Sequence, residues 1–444
     1  MFPRGCHSLT LLTLSVMALA SSSTLLAKVP PSSQFQFVNE GELGPYVVEY
    51  GGSYRVLNVF AAPFQLSFYN TTPDAFTLAL RMGLTRSESL FRWVWEANRG
   101  NPVRENATLS FGEDGNLVLA DHDGRIAWQT GTANKGVVGF QLLPTGNMVL
   151  YDSKGKYVWQ SFDSPTDTIL VGQSLKANGV NRLLSRGSEG NNVNGPYSLV
   201  MEPQGLSLYF TGKNALKPLV YYSFSQYISI SKGALDHVTF KSQNNDDHSD
   251  DLFLDYQVGT GSSPTTGNLI LTRPKYNATL SFLRLGIDGN VKIYTYDDLV
   301  DYRAWDVTLS LFSKDEFPDW ESECQLPEKC GSFGLCDNSQ CVGCPLPGGI
   351  FGWTRDCAAP KVSSCNPKDF GYYKLVGVDH VSSKYTKGIA AKIGECEARC
   401  TKDCKCAGYF YNEGNKRCWI AYDLMTLTKV ANSTHLGYIK APKK

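Results

Sequence analysis

Cysteine is absent from the whole stretch between Lys28 and Glu323, although the chain of 444 residues has 13 cysteines. One of them, Cys6, lies in an apolar N-terminal segment, and the others lie between Cys324 and Cys418. A cysteine-free body depends on its own apolar core, whereas a dense and even-numbered cysteine block is typical of small extracellular domains stabilised by disulfides. The pattern predicts a modular extracellular chain, with a self-sufficient body followed by disulfide-bonded modules.

Net charge is also missing, because 42 basic residues balance 42 acidic ones. Nucleic-acid binding depends largely on the neutralisation of phosphates by Lys and Arg, so this balance argues against nucleic acid as the main partner. Catalytic signatures are missing too: the chain has no G-x-S-x-G, no H-E-x-x-H and no phosphate-binding glycine loop. We therefore predict neither an enzyme nor a bound cofactor.

Long apolar runs are confined to the N-terminus. Arg4 precedes an apolar stretch over residues 9–26, and Ala20 or Ala27 fits the end of a cleavage site. Ser and Thr interrupt this stretch, which is shorter than the ~20 apolar residues that span a bilayer. A signal peptide over residues 1–27 is therefore favoured over a membrane anchor. The C-terminal residues are charged, and the expectation is a secreted, extracellular protein without a membrane anchor.

Two further patterns concern the surface. Residues 244–251 form an acidic run that lacks the spacing and the glycine of an EF-hand loop, so a solvated loop is favoured and no metal site is predicted. Four Asn-x-Ser/Thr triplets are predicted glycosylation sites: Asn70, Asn106, Asn277 and Asn432.

The body lacks long helical periodicity and consists of short alternating runs divided by Gly, Asn and Asp, which indicates an all-β fold. A strand–turn–strand motif recurs over residues 109–119, 139–151 and 283–294, and more weakly over 198–209. The turn residues tolerate the positive φ of a tight hairpin. Trp95, Trp128 and Trp159 follow the same rhythm, and we expect them to meet in a shared core rather than to bind a ligand.

These motifs resemble the Q-x-D-x-N-x-V-x-Y motif of bulb-type (monocot mannose-binding) lectins, which lies on a three-fold β-prism. Residues 94–99 (VWEANR) and 159–168 (WQSFDSPTDT) resemble signature segments of S-locus glycoproteins and of receptor kinases with bulb-lectin ectodomains. No kinase follows here. The chain is most similar to the epidermis-specific secreted glycoproteins of plants, and the resemblance covers nearly all of the expected mature chain.

The resemblance implies an all-β architecture of tandem bulb-lectin β-prism domains followed by disulfide-rich EGF-like and PAN/apple modules. The expected bounds are residues 28–174 for bulb-type lectin domain 1 and 175–308 for bulb-lectin-like domain 2. An S-locus/EGF-like module is expected over residues 309–360 and a PAN/apple module over residues 361–444.

Spacing alone leaves many disulfide connectivities open, and a zinc site at Cys341 and Cys344 competes with them, although disulfides are favoured in a secreted chain. The EGF-like resemblance implies the pairs Cys324–Cys336, Cys330–Cys341 and Cys344–Cys357. The PAN/apple resemblance implies Cys396–Cys418 and Cys400–Cys406, which leaves Cys365 and Cys404 to pair with each other. Cys396 and Cys400 are one turn apart on a predicted helix.

In the family motif, Gln, Asp and Asn bind the hydroxyls of mannose, Val packs on the sugar and Tyr adds a hydrogen bond. Here the first motif reads Gly112, Asp114, Asn116, Val118, Ala120, and the second reads Leu143, Thr145, Asn147, Val149, Tyr151. The third reads Gly286, Asp288, Asn290, Lys292, Tyr294, and the fourth retains only Tyr209. No motif is complete, so we do not expect ordinary mannose binding. The candidate carbohydrate contacts are Asp114, Asn116, Val118, Asn147, Val149 and Tyr151.

Two interpretations of the candidate contacts remain open, since Asp-Gly-Asn also makes a turn without any sugar. The favoured hypothesis is a secreted lectin-like glycoprotein of the plant cell wall or apoplast that binds glycans or glycoproteins, with avidity from several weak sites. The alternative is a structural or protein-interaction role, as a decoy or co-receptor that contacts receptor ectodomains through the PAN module. An enzyme is the least supported hypothesis.

Overall fold

The computed structural model describes residues 27–85, 90–214, 216–228, 230, 233–245, 249–260, 264–275, 277–314 and 321–443. The predicted signal peptide, apart from its last residue, lies outside the described residues, as does the middle of the acidic run. β-Strands dominate the regular secondary structure of the described chain, so the all-β prediction is confirmed.

The first half of the body contains eleven strands. They are β1 (Phe35–Val38), β2 (Ser53–Ala61), β3 (Phe64–Asn70), β4 (Phe76–Met82), β5 (Arg92–Glu96), β6 (Thr108–Phe111), β7 (Leu117–Ala120), β8 (Ile126–Gln129), β9 (Val137–Leu142), β10 (Met148–Asp152) and β11 (Tyr157–Gln160). Sheet 1 has the order β2-β3-β4-β5, sheet 2 has β1-β6-β7-β8 and sheet 3 has β11-β10-β9. Neighbouring strands are antiparallel. Three sheets around one apolar core form the first β-prism.

The second half repeats this plan. Its strands are β12 (Thr168–Leu170), β13 (Ser174–Lys176), β14 (Arg182–Arg186), β15 (Asn194–Glu202), β16 (Gly205–Phe210), β17 (Leu219–Ser223), β18 (Leu235–Asn245), β19 (Ser249–Val258), β20 (Thr265–Thr272), β21 (Ser281–Leu285), β22 (Val291–Tyr296) and β23 (Trp305–Ser310). Sheet 4 is β14-β15-β16-β17, sheet 5 is β13-β18-β19-β20 and sheet 6 is β12-β21-β22-β23. A second apolar core lies between them.

The two prisms are joined through the segment that connects them. Strand β12 precedes residue 175, where the second domain was expected to begin, yet it pairs with β21 of sheet 6. Ile169 packs in the second core, and the adjacent Leu170 packs in the first. Trp305 packs against the first core and donates its indole N–H to the carbonyl oxygen of Leu90 at 2.7 Å. The prisms therefore share packing across their boundary.

The three early tryptophans meet as expected. The ring centroids of Trp95, Trp128 and Trp159 are 5.7, 5.8 and 6.3 Å apart, and each pair is arranged edge to face. Trp95 is 5% exposed and belongs to the first core, against which the other two pack. Edge-to-face aromatic pairs contribute about 0.5–1.5 kcal/mol beyond their buried area. The prediction of a shared tryptophan core is confirmed.

The cysteine-rich part contains short strands and two helices. They are β24 (Phe312–Ser313), β25 (Glu321–Ser322), β26 (Phe333–Asp337), β27 (Gln340–Leu346), β28 (Gly349–Phe351), β29 (Phe370–Val376), β30 (Val378–His380), α1 (Ser382–Tyr385), β31 (Ile389–Ala390), α2 (Ile393–Lys402), β32 (Gly408–Asn412), β33 (Arg417–Ala421), β34 (Met425–Lys429) and β35 (His435–Pro442). Sheet 7 has the order β28-β27-β26-β34-β30, and sheet 8 has β29-β35-β32-β33-β31. Strands β26 and β34 pair in parallel, so sheet 7 joins the expected EGF-like and PAN/apple modules.

Six disulfides lie in this part of the chain. They join Cys324 to Cys336, Cys330 to Cys341, Cys344 to Cys357, Cys365 to Cys404, Cys396 to Cys418 and Cys400 to Cys406. These are the pairs that the resemblance implies. Cys396 and Cys400 are buried on α2, which the disulfides attach to β33 and to the turn after the helix. Each such bond typically contributes about 2–5 kcal/mol to a small module.

None of the helices in the described ranges is long and apolar enough to cross a membrane.

Candidate functional site

Each of the three strand–turn–strand motifs turns on a glycine. Gly115, Gly146 and Gly289 have φ angles of 78°, 82° and 80°, in the left-handed region that favours glycine. A Cβ atom on Gly115 would lie 2.7 Å from the side chain of Val137. The glycine therefore serves both the turn and its close packing, which is the turn-forming role that the sequence pattern indicates.

The asparagine of the first motif ties its turn to the end of β8, the strand that follows the motif. Asn116 is 7% exposed, and its Nδ2 donates to Oε1 of Gln129 at 2.9 Å. Its Oδ1 accepts from the Thr130 hydroxyl at 3.0 Å and from the Thr132 backbone N–H at 3.1 Å. The amide side chain is thus satisfied within the protein, as a buried polar group must be.

The second and third motifs repeat this arrangement. Asn147 donates to Oε1 of Gln160 at 2.9 Å and accepts from the Phe162 backbone N–H at 3.2 Å. Asn290 donates to the Phe312 carbonyl oxygen at 2.8 Å and accepts from the same residue's N–H at 3.1 Å. Each of the three asparagines thus ties its turn to the chain segment at or just after the next strand.

The remaining candidate contacts of the first two motifs differ in how much they reach solvent. Asp114 is exposed, and one carboxylate oxygen accepts from the Asn116 backbone N–H at 3.0 Å. Val118 is half-buried, whereas Val149 is fully buried between β9 and β11. Tyr151 is half-buried and lies across Gly139, where an added Cβ would come within 2.4 Å of the tyrosine hydroxyl. Among the candidate contacts of these two motifs, Asp114, Val118 and Tyr151 are therefore the ones accessible to solvent.

Sequence reasoning missed the glutamines that accept from the motif asparagines. Gln129 and Gln160 each follow a core tryptophan, and the Trp-Gln pair recurs after 31 residues, as the two asparagines do. That common spacing was the sequence signal from which the two asparagine–glutamine pairs could have been predicted. Gln129 is exposed and pairs with Val118 across the strands, so it adds a polar side chain beside the first motif.

The third motif lies in a cleft of about 270 Å³ between the two prisms. Tyr50 of the first prism lines this cleft together with Asp288, Lys292 and Tyr294. The ammonium of Lys292 lies 3.6 Å from the carboxylate of Asp288. This charged pair occupies the place where the family motif has an apolar valine, so the apolar edge of a sugar has no matching surface there.

In the fourth motif, the retained tyrosine forms a hydrogen bond with another side chain of the same hairpin. Tyr209 donates its hydroxyl to the carboxylate of Glu202, which lies beside the turn of the same hairpin. Burial and this carboxylate raise the pKa of Tyr209 above its ordinary value. The one family residue that this motif retains is therefore engaged within the hairpin.

The two signature segments build the interface between the prisms. Glu96 of the first segment is buried and pairs with Arg99 at 2.6 Å and with Arg186 at 3.3 Å. Arg99 also contacts Asp167 of the second segment at 2.9 Å. Burial alone would raise the pKa of Asp167, but Arg99 and Arg284 hold that pKa below its ordinary value. Buried charges require such partners, so these segments serve the docking of the prisms.

The same network of buried ion pairs continues at the edge of the first prism. Arg284 of β21 binds Glu49 at 2.8 Å and donates to the Thr168 hydroxyl at 2.9 Å. Arg92 forms a second ion pair with Glu49. The interface between the prisms therefore combines an extended, buried set of ion pairs with the apolar packing around Leu170 and Trp305.

Three of the four predicted glycosylation sites are exposed, and Asn70 is half-buried at the end of β3. The exposed sites are Asn106, Asn277 and Asn432. At the latter two, the side-chain oxygen accepts a backbone N–H two residues further on. Their glycosylation stays a prediction.

Where the acidic run is described, its carboxylates have protein partners. Asp250 accepts from the Ala278 backbone N–H at 2.6 Å, and Asp251 pairs with Arg273 at 2.8 Å. Across the described ranges, no group of three or more His, Cys, Asp or Glu side chains is placed to hold a metal ion.

Comparison with known proteins gives a family. Residues 92–187 match a model described as D-mannose binding lectin. The chain is 60% identical over 382 residues to the epidermis-specific secreted glycoprotein EP1 of Daucus carota, which covers 83% of this chain and 97% of that protein. The chain belongs to the EP1 family of secreted glycoproteins. It is also 52% identical over 417 residues to EP1-like glycoprotein 4 of Arabidopsis thaliana, covering 94% and 93% of the two chains.

A solved structure, a two-domain fetuin-binding lectin from Scilla campanulata, also matches this EP1-family chain. The match covers 59% of this chain and 96% of the other at 16% identity, with a TM-score of 0.17. The family model matches a bulb-type lectin domain in this EP1-family chain. Its sugar motifs are incomplete, and its motif asparagines are engaged inside the protein.

Proposed function

We propose that this EP1-family chain is a lectin-like recognition protein of the plant cell wall or apoplast, which binds glycans or glycoproteins weakly through sheets 2 and 3. The observation that carries the proposal is the outer surface of the first two motifs. Asp114, Val118 and Tyr151 provide a carboxylate, an apolar contact and a phenol there, over a frame that Asn116 and Asn147 hold in place. Weak sites combine by avidity when a ligand carries repeated sugars.

Mannose itself is a poor ligand under this proposal. A bound sugar loses water from every buried hydroxyl, and each missing hydrogen bond costs about 1–3 kcal/mol. The first motif has Gly112 and Ala120 where the family has Gln and Tyr, and the second has Leu143 and Thr145 where it has Gln and Asp. The ligand is therefore a glycan whose recognition depends less on these hydroxyls.

The division into domains is part of the proposal. Residues 28–174 and 175–308 are the two bulb-lectin-like domains, and residues 309–360 and 361–444 are the EGF-like and PAN/apple modules. Strand β12 and the parallel pair of β26 with β34 cross these limits. The domains accordingly act as one recognition unit rather than as independent domains.

A second candidate function is contact with a protein, such as a receptor ectodomain, through the PAN module. An apolar groove of about 420 Å³ favours it, since the groove lies between β17 and β33. Leu216 and Ile389 line this groove and are 64% and 41% exposed. Exposed apolar side chains around a groove are typical of protein-binding surfaces.

A glycan array of plant-wall oligosaccharides tests the first candidate. The secreted wild type is compared with Asp114→Ala/Tyr151→Phe, and with Asp301→Ala/Tyr302→Phe as a control at an exposed loop. We expect binding to a subset of glycans that only the first double variant loses. Absence of glycan binding by the wild type, together with capture of a receptor ectodomain, would instead support the second candidate.

A further inference from the structure

A polar cleft of about 500 Å³ lies between the two cysteine-rich modules, away from all the lectin motifs. One wall consists of the segment from Glu321 to Gln325, and the opposite wall consists of residues from β32 and β33. The loop after α1 closes one side. This volume is in the range of small-ligand sites, about 300–1,000 Å³.

Two cations in this cleft have no partner among the residues that the structure describes. Arg417 is half-buried and Lys387 is exposed, and within the described residues neither side chain forms an ion pair or a hydrogen bond. Other charges that line the cleft are paired. Lys384 binds Glu321, and His435 lies 2.7 Å from Asp379. The cleft therefore carries a surplus of positive charge, which raises the local concentration of anions.

An aromatic ring lies beside these cations. The indole N–H of Trp419 donates to the hydroxyl of Thr386 at 3.0 Å, and the ring packs against Gly388 so closely that an added Cβ would lie 2.6 Å from it. The ring is thereby held in one orientation. A rigid aromatic surface costs little conformational entropy when it contacts a ligand.

We propose that this cleft binds an acidic saccharide, whose carboxylates pair with Arg417 and Lys387 and whose rings contact Trp419. The planar guanidinium of arginine matches a carboxylate in a two-point hydrogen bond. Hydroxyl and amide groups of Ser383, Asn415 and other lining residues suit the many hydroxyls of a sugar. A sugar uses these hydrogen-bonding groups, the two cations and the aromatic ring together, so an acidic peptide is the less favoured ligand for this cleft.

This site is separate from the outer surfaces of sheets 2 and 3. It needs neither Asp114 nor Tyr151, and its ligand is defined by charge. Failure of glycan binding at the lectin motifs would leave the cleft untouched, and the reverse also holds.

Calorimetric titration of the full secreted protein with a galacturonic-acid oligomer tests the proposal. The comparison ligands are the methyl ester of the same oligomer, which lacks the charge, and a glutamate oligomer of equal length. The test variant is Lys387→Gln/Arg417→Gln. The control is Lys402→Gln/Lys405→Gln, which removes the same charge from exposed positions of the same module. The single variant Lys387→Gln, at an exposed position, provides a second test should the double variant fold poorly.

We expect the wild type to bind the acidic oligomer at least about tenfold more tightly than either comparison ligand, since charge-assisted pairs exceed neutral ones. The test variant should lose at least about tenfold in affinity, Lys387→Gln should lose less, and the control should match the wild type. No binding by the wild type, an equal loss in both double variants, or tighter binding of the glutamate oligomer would each overturn the proposal.

Discussion

Asn116 joins the turn of its motif to the strand that follows, through hydrogen bonds to the side chain of Gln129 and the backbone of Thr132. Replacing Asn116 by Ala leaves the buried backbone N–H of Thr132 unsatisfied, and we expect a loss of about 1–3 kcal/mol in the free energy of unfolding. The matched change Asp114→Ala removes one bond from an exposed carboxylate and should cost less than about 1 kcal/mol. Urea denaturation of both variants measures this, and equal losses would refute the structural role of Asn116.

His380 links stability to acid pH through its burial. Its ring is buried, with Nδ1 2.8 Å from the Ser382 hydroxyl and Nε2 3.0 Å from the Asp423 carbonyl oxygen. Burial lowers the pKa of His380 to about 4. In the unfolded chain an ordinary pKa of about 6.5 applies, so between these values the unfolded state binds more protons.

Stability from His380 is therefore fully present above pH ~6.5 and is lost as the pH falls toward ~4, with a slope of up to about 1.4 kcal/mol per pH unit. Urea denaturation at several pH values should show a shallower slope for His380→Gln than for the wild type over this window. An unchanged slope in His380→Gln would contradict the assignment.

At the scale of single residues, the sequence predicted the turns but not what holds them. The Asp-Gly-Asn pattern predicts a hairpin because its residues tolerate positive φ. The partners of Asn147 and Asn290 lie 13 to 22 positions away, and only the repeated Trp-Gln spacing hinted at one of them. Arg186 reaches Tyr69 and Glu96 from the other prism, and no local pattern marks such a contact.

At the scale of elements, the connection between the prisms depends on buried ion pairs. Asp167, just before β12, contacts Arg99 from the segment after β5. Asp167→Asn leaves an arginine charge buried without its full complement, and we expect a loss of about 3–5 kcal/mol in the free energy of unfolding. Asp163→Asn removes a solvent-exposed pair with Lys176 and should cost less than about 1 kcal/mol.

Thermal or urea unfolding of the Asp167→Asn and Asp163→Asn variants measures the difference. A loss confined to Asp163→Asn, or none in either variant, would show that the ion pairs do not hold the prisms together.

The hairpins were predictable from alternation because their strands are close in sequence. The strands that pair with partners distant in sequence were not predictable in this way. Strand β1 pairs with β6, and β13 with β18, across about 60 to 70 residues of intervening chain. Their short runs carry no signal of their partner, since pairing at long range depends on the assembled sheet. The sequence did not reveal, for the same reason, that strand β12 crosses the domain boundary expected near residue 175.

At the scale of the whole molecule, disulfide and apolar stabilisation are separated along the chain. All six disulfides lie beyond Glu323, and the prisms have apolar cores and no cysteine. Reduction should therefore unfold the cysteine-rich part while the prisms stay folded. Limited proteolysis after reduction should cleave beyond residue 321 and spare residues 27–310.

The untreated, denatured protein should in turn show fewer than two reactive thiols per mature chain on thiol labelling, because the described cysteines are paired. In the reduced protein, proteolysis of the prisms at the same rate as the C-terminal part would contradict the separation of disulfide and apolar stabilisation along the chain.

The central claim is that the lectin motifs keep their turns but have lost the side chains that bind mannose. Calorimetric titration with methyl mannoside tests it most directly, with the wild type beside Gly112→Gln/Ala120→Tyr. Gly112 has room for a side chain, since the nearest atom to an added Cβ is the Asp114 carboxylate at 3.6 Å. The same contact at Gly286 of the third motif is 2.5 Å, so Gly286→Gln serves as a matched change that should gain nothing.

We expect the wild type to bind methyl mannoside more weakly than about 1 mM, and the Gly112→Gln/Ala120→Tyr variant to bind it more tightly. Sub-millimolar binding by the wild type that survives Asp114→Ala would contradict the account.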